Sequence, residues 1–439
     1  MAVAALLAVL NGTTVTASLE SLAPELGTSI SGVVWVTTAY LIAASASVPL
    51  IGWLTERVGP DRVLQLALFG FAIGSLLCGL AWDLTSMVVF RVVQGLAGGM
   101  LEPAAMAVIG LVTPAARMGR VMGLVSIPIN GGPLIGPLVG LVLVNAGAWP
   151  WIFWLNTPLA ILIGLIALGL LPRAASQLDG RRTSIDVVGI LLLPPGFVLV
   201  LLGFNRWGAG AAPGLVAGFL ILGVVLLIAY VWHAPRVAAP LLDIRLLRIP
   251  SFAAALGVMS GVGLVMYTQL AVLPMLAQRN LGLEGVWQAA PVVTLGAGLM
   301  ISMVLAGRLS DTFGPRWIVF GGAVVTAVFA AVITFGASDL PLAVVLGAVF
   351  IVGLGFGATA SPTFASVYRV LPKESVGQGT AALFIVVQLF ASVGVTLVGF
   401  LTTSSDDPAQ VAYGLVAIVA VAIVAASHLL PSRRAGVDA

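Results

Sequence analysis

Charged residues are scarce in this sequence: only 8% of its 439 residues are Asp, Glu, Lys or Arg, against about 25% in soluble domains. A single cysteine excludes a disulfide framework. Both histidines lie at the ends of apolar runs, which argues against a histidine metal site. The sequence also has no Gly-Lys-Ser/Thr phosphate loop and no nucleophile–base cluster. These absences predict a protein that is not an enzyme, holds no cofactor or metal, and binds no nucleic acid.

The rest of the composition is apolar. Hydrophobic residues make up 60% of the chain, more than a soluble core can hide, so most of the chain is expected to lie in lipid. A spanning helix needs about 20 mainly apolar residues. The sequence contains fourteen such runs, at about 2–23, 33–54, 63–81, 86–110, 119–144, 151–171, 186–204, 213–232, 251–277, 287–307, 317–336, 341–367, 378–402 and 411–430.

The few basic residues are distributed unevenly. Sixteen of the 19 Lys and Arg residues fall in the loops that follow even-numbered spans or in the C-terminal tail. Such loops are cytoplasmic by the positive-inside rule. The sequence therefore predicts a multi-pass protein of the cell (inner) membrane with both termini in the cytoplasm.

Two charged stretches, each present twice, give the plan of the chain. Gly52 to Arg62 is matched 255 residues later by Gly307 to Arg316, and both place Gly-Pro eighth and ninth. Pro114 to Gly119 is echoed 258 residues later by Pro372 to Gly377. Two repeats at nearly one period indicate two homologous halves. We predict an all-α membrane protein with a 6+2+6 plan: an N-terminal six-helix bundle at 1–171, an insert at 172–250 with helices at 186–204 and 213–232, and a C-terminal bundle and tail at 251–439.

Four motifs in this order resemble those of the major facilitator superfamily, and within it the fourteen-helix drug:proton antiporter branch. Gly52–Arg62 resembles motif A, and Arg91–Gly95 followed by Gly98-Gly99 resembles motif B. Gly132–Gly140 resembles the antiporter motif C, and Trp149–Pro158 is similar to the sixth-helix signature of the branch. The resemblance covers essentially the whole chain. It implies two six-helix bundles that rock about a central site and export drugs in exchange for protons.

The sequence also departs from the family pattern. Motif A usually has Asp where Glu56 stands and Arg where Pro60 stands. The first helix of the branch usually carries an Asp where this chain has Asn11. Because Asn does not titrate, protons are coupled elsewhere, or the position has been altered, or coupling is weak.

Ionisable residues within the spans are candidates for proton coupling. Arg91 and Glu102 lie on one face of the fourth span, about 16 Å apart along its axis, so they cannot pair directly. The resemblance implies a proton-linked role for Arg91. Glu102 is not part of the family pattern, and charges at such depth usually face a cavity. We predict that Glu102 carries the proton, with Glu20 as the next candidate; the alternative for Glu102 is a side chain that snorkels near the outer end of its helix.

The repeated motifs are candidates for a gate. Glu56 and Asp311 can accept hydrogen bonds from a neighbouring helix N-terminus or pair with Arg57, Arg62 or Arg316. Gly52 and Gly307 are the first residues of the two copies. The alternative to a gate is a solvated loop whose arginines only set the topology. In motif C, glycines four residues apart permit close helix packing and prolines bend the helix, which suits a hinge or seal at the boundary between the halves. The motif C residues are Gly132, Pro133, Gly136, Pro137 and Gly140.

A substrate cavity is expected between the halves near the membrane centre. The predicted polar lining residues are Asn11, Thr14, Tyr40, Gln94, Asn130, Tyr267, Gln269 and Gln388. Apolar and soft groups that can hold a lipophilic molecule are Trp35, Met259, Met266, Phe384 and Phe390. For each of them, ordinary packing between helices is the alternative.

These observations predict a monomeric secondary transporter that exports lipophilic or cationic small molecules by proton antiport, with the proton gradient as its energy source. One alternative is an uncoupled or differently coupled exporter of a lipid or secondary metabolite. Another, from a different class, is a membrane sensor that transports nothing.

Overall fold

Helices are the only regular secondary structure in the residues that this computed structural model describes, which are 2–114, 117–170, 186–336, 340–372, 375–405 and 407–432. The α-helices are α1 (Ala2–Ala17), α2 (Leu19–Glu25), α3 (Ile30–Ser47), α4 (Ile51–Val58), α5 (Pro60–Gly79), α6 (Leu84–Val112), α7 (Met118–Asn145), α8 (Trp151–Trp154), α9 (Asn156–Leu170), α10 (Val187–Gly208), α11 (Pro213–His233), α12 (Pro250–Met275), α13 (Ala290–Phe313), α14 (Pro315–Gly336), α15 (Leu342–Val370), α16 (Val376–Ser404) and α17 (Pro408–Ser427). A helix satisfies its backbone hydrogen bonds internally, as lipid requires of a spanning segment.

Among the described residues, twelve helical stretches are long and apolar enough to cross a membrane. They run from Gly32–Val58 to Pro408–Ser427 and coincide with the second to fourth and the sixth to fourteenth predicted spans. The first and fifth predicted spans are helical, as α1 and α7, but are not among the twelve. The protein is therefore a multi-pass membrane protein, and the fourteen-helix 6+2+6 plan stays a prediction.

Both copies of the first charged stretch, Gly52 to Arg62 and Gly307 to Arg316, are mostly helical, which corrects the expectation of loops. A 3₁₀ turn at Val48–Leu50 joins α3 to α4, and the helical path continues to Val58. Gly59 then turns the chain with a φ of 90°, and Pro60 is the first residue of α5. In the second copy, Gly314 has a φ of 85° between α13 and α14. Gly-Pro suits this one-residue turn because glycine adopts a positive φ readily and proline fits the first position of a helix.

The predicted continuous span at 2–23 is also divided, into α1 and α2. The hydroxyl of Ser18, at the junction, donates to the carbonyl of Thr14 at 2.8 Å. Such back-bonding by Ser and Thr bends helices. Similarly, α8 and α9 share the predicted span at 151–171.

The apolar core forms separate clusters in the two parts of the chain. The largest cluster contains only residues between Phe252 and Leu430. Two others contain only residues between Ala4 and Ala160. The two insert helices differ from each other in their contacts. Helix α10 packs on α11, α16 and α3, whereas α11 lies mainly against α10. One helix of the insert is thus in contact with helices from both parts.

Candidate functional site

Two glycines, one from each repeat type, bring α7 and α13 into backbone contact. A Cβ atom added to Gly307 would lie 2.1 Å from the carbonyl oxygen of Gly119, and one added to Gly119 would lie 2.2 Å from that of Gly307. One turn further along α7, a Cβ on Gly123 would lie 2.5 Å from the carbonyl oxygen of Met303. Any side chain at these positions would separate the two helices.

Asp311 binds the N-terminus of α7 beside this crossing. Its Oδ1 accepts a hydrogen bond from the backbone N–H of Gly119 at 2.8 Å, and its Oδ2 accepts one from that of Arg120 at 2.9 Å. The guanidinium of Arg369 donates to Oδ1 at 2.5 Å and to the carbonyl of Ser310 at 3.2 Å. The carboxylate thus links α13 to the free N–H groups of α7 and to the end of α15, an arrangement that stabilises a negative charge.

The first repeat makes the corresponding contact with α16. A Cβ on Gly52 would lie 2.9 Å from Cα of Gln378, and one on Gly377 would lie 2.0 Å from Oγ1 of Thr55. Glu56, at the position equivalent to Asp311, lies beside the Gln378 side chain. Gln378 Oε1 accepts a hydrogen bond at 2.6 Å from the backbone N–H of Asp243, which lies in the insert after α11. Each copy of the first repeat therefore contacts a copy of the second repeat in the other part of the chain. We call the end of the bundle that contains these contacts, between Gly119 and Gly307 and between Gly52 and Gln378, the sealed end.

The predicted arginine partners of these acids are wrong. Among the described residues, the ion pair of Asp311 is with Arg369. Arg57 stacks on Trp53, and Arg62 is exposed. Arg316 stacks on Trp317 and lies 3.1 Å from a ring nitrogen of His428. Repetition could not reveal Arg369, because it stands outside both motifs.

The motif C glycines pack against α1, within the same part of the chain. A Cβ on Gly132 would lie 2.8 Å from Val9, one on Gly136 would lie 2.0 Å from Oγ1 of Thr13, and one on Gly140 would lie 2.7 Å from the carbonyl oxygen of Thr14. This face does not lie at the boundary between the two parts, contrary to expectation. The boundary contact of α7 is made instead by Gly119 and Gly123.

An apolar cluster fills the space between the two parts next to the sealed end, and we call it the apolar plug. It comprises Val48, Met106, Ile109, Met118, Met122, Val125, Phe197, Ala365, Tyr368, Val376, Phe384 and Ile385. Phe197 of α10 is completely buried in it. Phe384, expected to hold substrate, belongs to this plug. Because these side chains are buried and packed together between the two parts, a solute cannot pass the plug in this conformation.

Arg91 is buried in a polar network on α6, with no exposed surface. Its Nε donates to the carbonyl of Val36 at 2.9 Å, and its Nη1 donates to Oε1 of Gln94 at 2.6 Å. The amide nitrogens of Gln94 and Asn156 each lie 3.4 Å from Oδ1 of Asn11. Within the described residues, Nη2 of Arg91 has no hydrogen-bond partner and no acid forms an ion pair with the guanidinium. The cation is therefore buried in a network of neutral groups.

Tyr40 connects this network to Glu102. Its ring lies under the Arg91 guanidinium at 4.3 Å, and its hydroxyl lies next to Asn11. Glu102 is within electrostatic reach of the hydroxyls of Tyr40 and Tyr267. The tight approach of α3 to α6 depends on motif B, because a Cβ on Gly98 would lie 2.5 Å from the Tyr40 hydroxyl.

Glu102 lies well inside its helix and not near either end. It stands ten positions before the last residue of α6, Val112. Its side chain is partly exposed, whereas Met106 and Ile109, one and two turns further on, are buried in the plug. This position disfavours a snorkelling side chain and leaves the carboxyl group on the open side of the plug.

A cavity of about 740 Å³ lies between α3, α10, α12 and α16, in the part of the bundle away from the sealed end. Of the predicted lining residues, Tyr267 and Gln388 border it. The remaining described ones are buried in helix packing: Asn11, Thr14, Tyr40, Gln94 and Gln269. The side chains of Glu20, Asn130, Pro133 and Pro137 lie outside the described part of the structure.

The contribution of α10 to this cavity was not predicted from the sequence. The insert matches neither repeat, which suggested no role in a site shared by the two halves. The one available signal was Asn205, a polar residue near the end of an otherwise apolar run.

Together, the sealed end, the plug and the cavity define a two-part helical membrane protein of the transporter class. The chain belongs to the Major Facilitator Superfamily, whose family model matches residues 1–395 and 295–438. It is an MFS-type transporter and not an enzyme, and the family resemblance seen in its motifs is confirmed.

Comparison with individual proteins agrees with this assignment. The "Multidrug resistance protein B homolog" of Mycobacterium tuberculosis (strain ATCC 25618 / H37Rv) is 30% identical over 419 residues, which are 93% of this chain and 76% of the relative. The human organic anion transporter MFSD10 (TETRAN) has a similar fold, with a TM-score of 0.69 at 14% identity over 97% of this chain and 98% of that one. The proton:xylose symporter XylE gives a TM-score of 0.66 at 16% identity, over 98% and 94%.

Proposed function

We propose that this transporter exports lipophilic, often cationic, small molecules in exchange for protons by alternating access. The observation that carries the proposal is the position of Glu102, a partly exposed acid between the apolar plug and the open side of the bundle. The name of the mycobacterial relative supports multidrug export. An intramembrane acid that meets both substrate and protons allows exchange, because loading one displaces the other.

We further propose that α1 and α7 cross the membrane, which completes fourteen spans in the 6+2+6 plan with two six-helix halves at 1–171 and 251–439. Both termini are then cytoplasmic by the positive-inside rule, and the sealed end faces the cytoplasm. On this topology the present conformation is closed to the cytoplasm and its cavity lies towards the outside. We propose that the transporter works as a monomer.

Arg91 acts on Glu102 through Tyr40 in this proposal. The guanidinium and the carboxyl do not pair, but the Tyr40 ring packs against the guanidinium and its hydroxyl lies near the carboxyl. Protonation of Glu102 therefore changes the electrostatic environment of Tyr40, which packs directly against Arg91. This gives the motif B arginine a route to the proton site without a direct contact.

Efflux of ethidium from proteoliposomes tests the proposal. We expect an imposed pH gradient to drive efflux by the parent protein, and we expect Glu102→Gln to abolish this dependence on the gradient. Glu25→Gln is a matched control, because Glu25 is exposed at the end of α2. Equal gradient-driven efflux by parent and Glu102→Gln would place the proton site elsewhere, with Glu20 as the next candidate. If the gradient drives efflux in neither, proton antiport is refuted for this chain.

An uncoupled or differently coupled exporter of a lipid or secondary metabolite is the second candidate. Asn11 favours it, because a neutral amide stands where the branch has an acid and Arg91 has no acid partner in the described structure. Downhill efflux that ignores the pH gradient would support this function. A sensor would show no efflux at all and no change in cavity accessibility when substrate is added.

A further inference from the structure

The insert helix α10 forms one wall of the 740 Å³ cavity. Together with its C-cap residue Ala209, α10 supplies seven of the 22 lining residues, one fewer than α16 and two more than α3. Six of the seven are Val198, Leu201, Leu202, Asn205, Gly208 and Ala209. Their spacing of three and four residues places them on one face of the helix. The volume is within the usual range of about 300–1,000 Å³ for small-molecule sites.

Fixed contacts hold α10 in this position. The hydroxyl of Thr396 on α16 donates to the carbonyl of Phe204 at 2.8 Å. Gly399 approaches so closely that an added Cβ would lie 3.1 Å from the carbonyl oxygen of Gly208. At the opposite end of the cavity, Phe197 is buried in the plug. Packing against α16 and the plug therefore fixes the orientation of α10, and the face that lines the cavity is available to a ligand.

The chemistry of the wall indicates what it binds. Among the described residues that line the cavity, none carries a charge. The surface is mainly apolar, with hydrogen-bonding groups such as Asn205 on α10, Ser45 on α3 and Gln388 on α16. Oε1 of Gln388 is buried and has no hydrogen-bond partner in the described structure. A buried acceptor of this kind is costly unless a donor reaches it. An uncharged amphiphile with hydroxyl or amide groups fills the apolar volume, and it reaches the Gln388 amide when that side chain turns towards the cavity.

We propose that α10 and α16 together form a binding site for uncharged amphiphilic molecules, in which Asn205 and Gln388 provide the hydrogen bonds and determine specificity. The site deepens the proposed export function, on which it rests for its physiological meaning. Tyr267 borders this cavity and lies within electrostatic reach of Glu102. A bound molecule can therefore extend from the α10 wall towards the proton site, while an uncharged one needs no contact with the acid.

Cysteine protection tests the wall directly. Asn205→Cys in full-length protein in proteoliposomes is labelled with N-ethylmaleimide, with and without saturating chloramphenicol as the uncharged amphiphilic probe. Leu215→Cys is the control, because Leu215 is exposed near the same end of the insert on α11 and does not line the cavity. The native Cys78 is buried, so its background is measured on the parent protein. We expect chloramphenicol to slow labelling at Asn205→Cys at least about fivefold and to leave Leu215→Cys unchanged.

Binding measurements without a pH gradient complete the test. We expect Asn205→Leu and Gln388→Leu each to weaken chloramphenicol binding about three- to tenfold, as loss of one hydrogen bond does, with Leu215→Ala as an unaffected control. Thermal unfolding shows whether each variant is folded. Unprotected Asn205→Cys in a protein that binds chloramphenicol overturns the role of α10. Absence of saturable binding to the folded parent overturns the ligand class. Because no gradient is used, either result can be distinguished from failure of proton-driven ethidium efflux.

Discussion

Replacing Gly307 with alanine puts a methyl group 2.1 Å from the carbonyl oxygen of Gly119, where ordinary contact begins at 3.4 Å. The two helices must therefore separate by about 1.3 Å at this point, because the obstructing atom is backbone and no side chain can rotate away. Overpacking of this kind costs about 1–3 kcal/mol. The methyl group is obstructed only while α7 and α13 are in contact, so the cost applies to the sealed conformation alone. The ratio of sealed to open molecules should fall by about fivefold to 150-fold.

Accessibility of the plug measures this ratio. Ile109 is 3% exposed within the plug, so Ile109→Cys reports opening when a membrane-impermeant maleimide is applied from the sealed end. We expect Gly307→Ala to increase its labelling rate in proportion to the open fraction, and Gly119→Ala to do the same. Gly321→Ala is the matched control, because it also lies in a helix but a Cβ there meets nothing within 4 Å. It corrects for the higher helix propensity of alanine.

Equal labelling rates of the folded Gly307→Ala and Gly321→Ala proteins would refute a gate at this glycine contact. That result would mean that the added methyl group is not compressed between α7 and α13 in the sealed state. Thermal unfolding of each variant must accompany the measurement, because general destabilisation also increases labelling. A variant that labels faster and unfolds at the parent temperature supports a gate.

The other predictions concern the latch, the buried cation and motif C. Asp311→Asn should raise Ile109→Cys labelling about tenfold, because Asp311 accepts hydrogen bonds from two backbone N–H groups and from Arg369. Its effect should exceed that of Glu56→Gln, and equal effects of the two substitutions would contradict this asymmetry. Asn11→Asp should raise the thermal unfolding temperature at high pH, since an ionised carboxylate beside the network supplies a counter-charge for Arg91, and the gain should vanish as acid protonates it. In the Arg91→Gln background this gain should be absent, and a gain that persists there would refute the pairing. Gly136→Ala should cost about 1–3 kcal/mol of stability. It should not change Ile109→Cys labelling, because the contact of Gly136 with Thr13 lies within one part of the chain. A change in labelling would show that motif C takes part in the gate.

Several features of the fold followed directly from residue order. Apolar runs located the helices to within a few residues, because lipid leaves few alternatives to a helix of sufficient length. The repeat between Gly52 and Gly307 pointed to two related contacts, and glycine and proline at the turns have local preferences that any context preserves. The internal breaks at Ser18 and Val48 were missed, since they depend on side-chain hydrogen bonds and helix geometry that periodicity does not report.

The sequence alone determined the membrane character, the repeated motifs and the family, because composition, charge placement and motif order are properties of the chain itself. Only the tertiary structure decided which groups meet. It paired Asp311 with Arg369, turned the motif C glycines towards α1, and placed Asn205 of the insert in the cavity. These outcomes depend on the rotation of each helix and on the neighbour that it packs against. Neighbours that are distant in sequence are selected by the combined packing of all the helices, which no single segment encodes.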